Sequence, residues 1–287
     1  MSVTDGSSIA TLPSAGPART DAPQALTPLS TDLTTRATIG GRLDDLERRF
    51  GVRVLYAVET GSRAWGFASI DSDYDVRYVF VRPLADYLRL DKVKDPLEAE
   101  PDPVLDLAGW DLPKALRLAR ISNPSLTEWL GSPTVYRTSD DWESLRPLLR
   151  RCYQPWPTRH HYLGMALKNW STRARFGAAM PKRYLYVIRP LLACRWIAAN
   201  DVPAPVPLAQ LADATLEPEM RGRLDDLIAT KVCSSPALGP GELPEWDAWI
   251  VREFAVQQAY VRAEPVPEGP GWDELNAAFR RILGLAG

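Results

Sequence analysis

The sequence predicts an α+β chain: a sheet-and-helix domain over about 40–135, followed by an all-helical domain over 136–287. Three observations carry this. Short β-branched or aromatic runs that read as strands occur three times before residue 111. Helical periodicity alone runs from Ser139 onward. Residues 1–35 are rich in Ser, Thr, Pro, Ala and Asp, so burial cannot offset their chain entropy and a disordered tail is expected.

Leu43, Leu46 and Phe50 share one stripe of a helix that Gly51 stops. Residues 52–58 (VRVLYAV) read as a buried strand. Gly61 to Gly66 (GSRAWG) is a turn into a short helix or loop. Residues 75–81 (DVRYVFV) form a second strand and 83–90 a short helix, and the Asp/Glu/Pro-rich stretch 91–103 is a connection. A third strand, 104–110, contains Asp106. Asp111 is then expected to cap a helix carrying Leu112 to Leu116, and Asn123-Pro124 to open another with Leu126, Trp129 and Leu130. Six helices follow, at 139–152, 158–176, 182–199, 217–231, 244–263 and 271–285.

Composition excludes several classes. With 45% hydrophobic and 24% charged residues, the chain is neither collagen-like nor wholly disordered. A net charge of −2 gives no global field for nucleic acid, so a polyanion site must be a local patch. Three scattered cysteines and two adjacent histidines make neither a disulfide framework nor a zinc site, and fit a reducing cytosol. No apolar run of about 18 residues and no basic-then-apolar leader occurs, so a cytoplasmic protein without a membrane partner is expected.

Charge is segregated along the chain. From Ser144 to Asn200 there is no Asp or Glu, where about seven would be expected at the chain's average. Eleven Lys and Arg residues stand there. His161, Lys168 and Arg175 are spaced by seven, and Lys182, Tyr186 and Arg189 lie at i, i+4 and i+7. Pro190 cannot donate an amide proton, which leaves the Tyr186 carbonyl without its helical partner. Residues 71–111 hold eleven acids against five bases. Such halves either frame a divalent cation and a polyphosphate or pair with each other across a domain interface.

The sharpest local pattern is Gly61-Ser62, ten intervening residues, then Asp73-x-Asp75 heading a strand. Residues i and i+2 of a strand point to one face, where two carboxylates repel unless a cation lies between them. Oxygen ligands of this kind suit Mg²⁺ or Mn²⁺. Gly61 permits close backbone approach, and the Ser62 hydroxyl can donate to a phosphate.

With these motifs the sequence resembles the DNA-polymerase-β-like nucleotidyltransferase superfamily. More closely, it is similar to a family of predicted nucleotidyltransferases grouped with RNA-repair polymerase-β-type proteins. The resemblance rests on GSRAWGFASIDSDYDVRYVFV (61–81), DLAGWDLPKALRLARISNPSLTEWLGSP (106–133) and KRYLYVIRPLLACRWI (182–197). It implies a mixed sheet with flanking helices, two metal ions, and transfer of NMP from an NTP to a hydroxyl, with an RNA end among the acceptors. Carried onto this chain, Gly61 and Ser62 hold phosphate, and Asp73 and Asp75 bind metal. Asp106 is favoured over Asp111 as the third catalytic and metal-binding carboxylate. Arg63 and the helical cations Lys168, Lys182 and Arg189 are expected to contact the nucleotide, with Arg189 the strongest triphosphate clamp. Trp65 is expected to pack on the domain rather than stack a base. The competing readings are a non-catalytic nucleotide- or RNA-binding module and a protein-modifying, AMPylating regulator on the same fold.

Overall fold

A computed structural model describes residues 33–91, 93, 97, 102–172, 180–233, 243–260 and 268–285. The tail expected at 1–35 lies almost wholly outside these residues, and Leu33 to Thr35 already belong to helix α1 (Leu33–Phe50). Ile39, Leu43 and Leu46 bury one stripe of α1, and Gly51 ends it at φ 63°, a left-handed conformation that glycine adopts without a Cβ penalty.

Four strands form one sheet in the order β3-β2-β1-β4. They are β1 (Arg53–Glu59), β2 (Tyr74–Val81), β3 (Leu105–Asp111) and β4 (Val135–Thr138). β1 runs antiparallel to β2 and β4, whereas β2 and β3 are parallel, so the sheet is mixed. Helix α2 (Gly61–Trp65) joins β1 to β2, and α3 (Leu84–Tyr87) follows β2.

The sheet is covered on both faces. α1 packs on Val54, Ala57, Val76, Tyr78, Phe80 and Leu105. The other face, with Leu55, Val58, Val79 and Val81, meets α4 (Leu112–Arg120), α5 (Pro124–Leu130), α6 (Asp140–Arg151) and α12 (Trp272–Ile282). Asn123 caps α5, its Oδ1 accepting from the Ser125 amide at 3.0 Å, and Ser139 caps α6, its Oγ accepting from Trp142 at 3.2 Å. Trp142 of α6 stacks on Tyr56 of β1 with ring centroids 4.7 Å apart.

The remaining helices surround a second core. They are α7 (Pro155–Thr172), α8 (Pro181–Asn200), α9 (Leu208–Thr215), α10 (Pro218–Val232) and α11 (Pro244–Ala259), with α8 at the centre. α8 continues through Pro190 because Asn169 Nδ2 donates to the freed Tyr186 carbonyl at 3.0 Å.

This arrangement corrects the expected boundary near 135. β4, α6 and α12 all lie beyond it in sequence, yet pair or pack with the sheet. Their apolar stripes give helical period but not the partner that the stripe will meet. β4 (VYRT) is too short and polar to announce itself, and α9 was likewise not expected.

The two cores are joined by a buried ion pair. Glu128 of α5 accepts from Arg189 Nη1 at 2.6 Å, from Tyr162 Oη at 2.9 Å and from Trp65 Nε1 at 3.2 Å. Phe67, next to α2, inserts into the helical core. Removing one member of such a pair leaves a buried charge without a partner. Arg189→Ala and Glu128→Ala are each expected to cost about 3–5 kcal/mol in denaturant unfolding. The double variant should cost well below the sum, and strictly additive losses would refute the coupling.

Candidate functional site

The C-terminal end of β1 and the N-terminal ends of β2 and β3 lie side by side, because β1 is antiparallel to β2 and β2 is parallel to β3. Glu59, Asp75 and Asp106 therefore meet at one end of the sheet. Asp75 is the direct register partner of Asp106, so both fall on one face.

Gly61 makes this end possible. Its φ is 61°, and a Cβ there would stand 2.1 Å from Asp75 Oδ2. The turn thus needs glycine for its backbone angle and for the room that Asp75 occupies. Ser62 is largely buried, and its carbonyl accepts from the Gly66 and Phe67 amides at 3.1 and 3.0 Å. Arg63 reaches back to the loop, its Nε donating to the Asp73 carbonyl at 3.1 Å and its Nη2 to that of Ser72 at 2.6 Å. It also lies 3.7 Å from the Tyr74 ring centroid. Arg63 therefore positions the Asp73 segment through its backbone.

Two groups at this end were not singled out from sequence. Glu59 is 1% exposed, accepts from the Asp75 amide at 2.8 Å and takes the Tyr136 hydroxyl on its other oxygen. Burial holds its carboxyl above the usual carboxylate range. It locks the backbone that carries Asp75. The available signal was an acid that closes the continuous apolar run VLYAV of a strand buried on both faces. The second group is Arg77, two residues beyond Asp75 and on the same face. Its Nη2 lies 2.7 Å from Asp106 Oδ2 and 3.3 Å from Asp75 Oδ1, and its Nη1 donates to the Val76 and Asp106 carbonyls.

Asp75 is pushed above its ordinary range first by burial, then by Asp106 and Asp73, against the opposing pull of Arg77 and Lys182. Asp73 is exposed just before β2. Among the described residues no group of three His, Cys, Asp or Glu side chains is gathered as a metal cage. The physical reason at the third carboxylate is visible: Asp106 is turned onto Arg77. The paired carboxylates Asp73 and Asp75, mutually repelling at the partly buried end of a strand, do fit a divalent cation.

Of the helical cations, Lys182 comes to this site: its charge bears on Asp75, and its Nζ lies 5.8 Å from the Tyr186 ring centroid. Tyr186 is raised by burial and by the Asp75 charge, so it borders the same space. Lys168 is exposed on α7, and Arg175 falls outside the described residues.

Arg189 departs from expectation. It is 1% exposed, paired with Glu128, bonded to the Val206 carbonyl at 3.2 Å and stacked 4.6 Å from the Trp65 ring centroid. Its fork is consumed inside the protein, so it cannot act as the triphosphate clamp. The stripe Lys182–Tyr186–Arg189 does face α2, but its deeper end is structural. Trp65 packs as expected.

Part of the basic stretch is likewise neutralised. Arg151 meets Glu274 of α12 at 2.6 Å, and Arg195 meets Glu217 and Glu253 at 2.9 and 2.6 Å. The partners come from outside residues 71–111.

Asp111 lies at the helix N-cap but makes no capping bond with its side chain. It pairs instead with Arg82 at 3.2 Å and takes the Tyr87 hydroxyl. It aligns with Phe80, at the far end of β2, and the odd spacing from Asp106 turns it to the opposite face.

A mixed sheet with paired aspartates at the head of β2 and helices on both faces defines a polymerase-β-like nucleotidyltransferase fold. The model of the RNA repair pathway DNA polymerase beta family matches residues 35–281, and the chain belongs to that family. It is also 39% identical over 191 residues to the uncharacterized protein YcgL of Bacillus subtilis (strain 168), covering 66% of this chain and 74% of that protein. Among the described residues no helix is long and apolar enough to cross a membrane.

The two candidate third carboxylates are separable by stability. Asp111→Ala should cost about 1–3 kcal/mol, because it removes the carboxylate that Arg82 and the Tyr87 hydroxyl share. Asp106→Asn, at an exposed position, should stay within about 0.5 kcal/mol of the parent. Urea unfolding measures both, and equal losses would contradict these assignments.

Proposed function

We propose that this protein is a divalent-cation-dependent nucleotidyltransferase that moves a nucleoside monophosphate from an NTP to a hydroxyl of RNA. The observation that carries the reading is the arrangement at the head of β2: Asp75 packed against Gly61, preceded by Asp73 and in register with Asp106. The family's RNA-repair description supports RNA as the acceptor.

Asp73 and Asp75 would hold the cation, Mg²⁺ or Mn²⁺. Bound there, it supplies Lewis-acid neutralisation of the charge that develops on the α-phosphate. The chain's own residues supply position and charge. Glu59 and Gly61 fix Asp75, Arg63 fixes the Asp73 backbone, and Lys182 faces the same space. In the reaction the RNA hydroxyl oxygen forms a bond to the α-phosphorus while the α–β phosphoanhydride bond breaks. Pyrophosphate leaves, and the hydroxyl proton passes to Asp106, more than half exposed beside Asp75, and on to water.

The test is incubation of the pure protein with each α-labelled NTP, Mg²⁺ or Mn²⁺, and a pool of RNA. Label in RNA is the expected result. Label on protein would favour the AMPylating regulator, and nucleotide bound without transfer would favour the binding module. Asp73→Asn and Asp75→Asn should each lower the rate on the order of 10³-fold or more with the fold intact by circular dichroism. Full activity in either variant, or in EDTA, would refute the mechanism.

Gly61→Ala probes the same geometry without touching a charge. The left-handed backbone costs about 1 kcal/mol, and the new methyl must displace Asp75. Mn²⁺ binding, followed by electron paramagnetic resonance, should weaken clearly while the folded state persists. Unchanged Mn²⁺ affinity would show that the close approach of Gly61 to Asp75 is not needed.

A further inference from the structure

Lys231, in the last turn of α10, crosses the molecule to the loop that carries Asp73. Its Nζ donates to Ser72 Oγ at 3.0 Å and to Ser69 Oγ at 3.2 Å. The two serines are themselves tied together: the Ser69 amide donates to Ser72 Oγ at 2.9 Å, and the two hydroxyl oxygens lie 3.0 Å apart. Ser69 is 7% exposed, so this is a built seat rather than a surface encounter. On its remaining side the ammonium lies 5.8 Å from the Phe67 ring centroid.

The charges that bear on Lys231 are all positive. Lys182 of α8 and Arg63 of α2 face it, and together with burial, the larger cause, they push its ammonium down to about 8. Arg63 commits two of its five N–H donors to the Ser72 and Asp73 carbonyls. An ammonium has three N–H donors, and the two serines take two of them. Three cations from three elements are brought close, Lys231 on hydroxyls, Arg63 on carbonyls and Lys182 toward Asp75, and a further anion would relieve their mutual repulsion. Ser72 is the residue immediately before Asp73, so the anion would sit beside the paired carboxylates.

We propose that Lys231 and Lys182, with the Ser72 hydroxyl, form the subsite that binds the polyphosphate of the incoming nucleotide. This rests on the nucleotidyltransferase reading and moves the clamp from Arg189 to a residue 42 positions further along the chain. Polyphosphate is the anion that suits the seat, because it offers several charged oxygens to donors from two helices and one loop at once. Its leading end would then lie toward Asp73 and Asp75.

The test is calorimetric titration with sodium tripolyphosphate in EDTA, which separates this subsite from the cation site. Lys231→Met, which keeps the length and apolar bulk of the stem, should bind about tenfold or more weakly at pH 7. Lys231→Arg should bind near the parent level. The parent should lose affinity as pH rises from 7 to 9, when Lys231 gives up its proton, and Lys231→Arg should not, because a guanidinium stays charged. Tripolyphosphate affinity unchanged in Lys231→Met, or no tripolyphosphate binding by the parent, overturns the subsite. A parent that transfers label to RNA while Lys231→Met binds tripolyphosphate normally would leave the nucleotidyltransferase reading standing without it. Short RNA that binds in place of tripolyphosphate and loses affinity in Lys231→Met would assign the seat to the acceptor and overturn the proposal as well.

Discussion

Crowding of negative charge at one end of the sheet is the constraint on which the other features of this site depend. Asp75 is partly buried with Asp106 beside it in register and Asp73 two residues before it. Such carboxylates tolerate one another only with counter-charge close by or with protons retained. Arg77 is the counter-charge within the sheet, gripping Asp106 and Asp75 together. Glu59, buried beneath them, has its carboxyl held above the usual range and serves as an acceptor for the Asp75 amide. Lys182 and Lys231 approach from the helical half. The site is thus assembled by two cores at once: the sheet supplies the carboxylates with Arg77, and the helical half adds Lys182 and Lys231.

Alignment of those cores is fixed away from the carboxylates. Glu128 gathers one donor each from α2, α7 and α8, so a single carboxylate ties the α2 turn to the helices that face it. A buried ion pair contributes little net stability against a hydrophobic replacement, but it tolerates few alternative geometries. Its direction matters here. Arg189 lies on the same stripe as Lys182, and holding Arg189 on Glu128 turns Lys182 and Tyr186 toward Asp75. The α8 stripe therefore divides its labour: the deep end aligns the halves, and the outer end faces the site.

The acid-free stretch of 57 residues is less unusual in space than in sequence. Acids from α6, α11, α12 and the residue that precedes α10 reach several of its arginines. A charge run in sequence reports which residues share an element, whereas charge density reports which elements share a surface. Lys231 shows the converse, since it comes from α10, a helix of mixed charge, and joins Lys182 and Arg63 only through the fold.

The sequence by itself determined the local structure and the local motif. Three strands and most helices follow from period and composition, because side-chain alternation and the 3.6-residue repeat are properties of a single segment. Gly61, Asp73 and Asp75 were legible for the same reason: a turn, its glycine and an i, i+2 pair are short-range features. The tertiary structure alone decided what each segment meets. It sent β4, α6 and α12 to the sheet, set Asp106 rather than Asp111 beside Asp75, and made Arg77 and Glu59 part of the site. It also buried Arg189 on Glu128 and carried Lys231 to Ser72. A guanidinium or an ammonium looks the same in sequence whether its partner is a phosphate, a carboxylate 61 residues away or a serine 159 residues away. Only the packing of apolar faces, which is non-directional and long-range, selects among those partners.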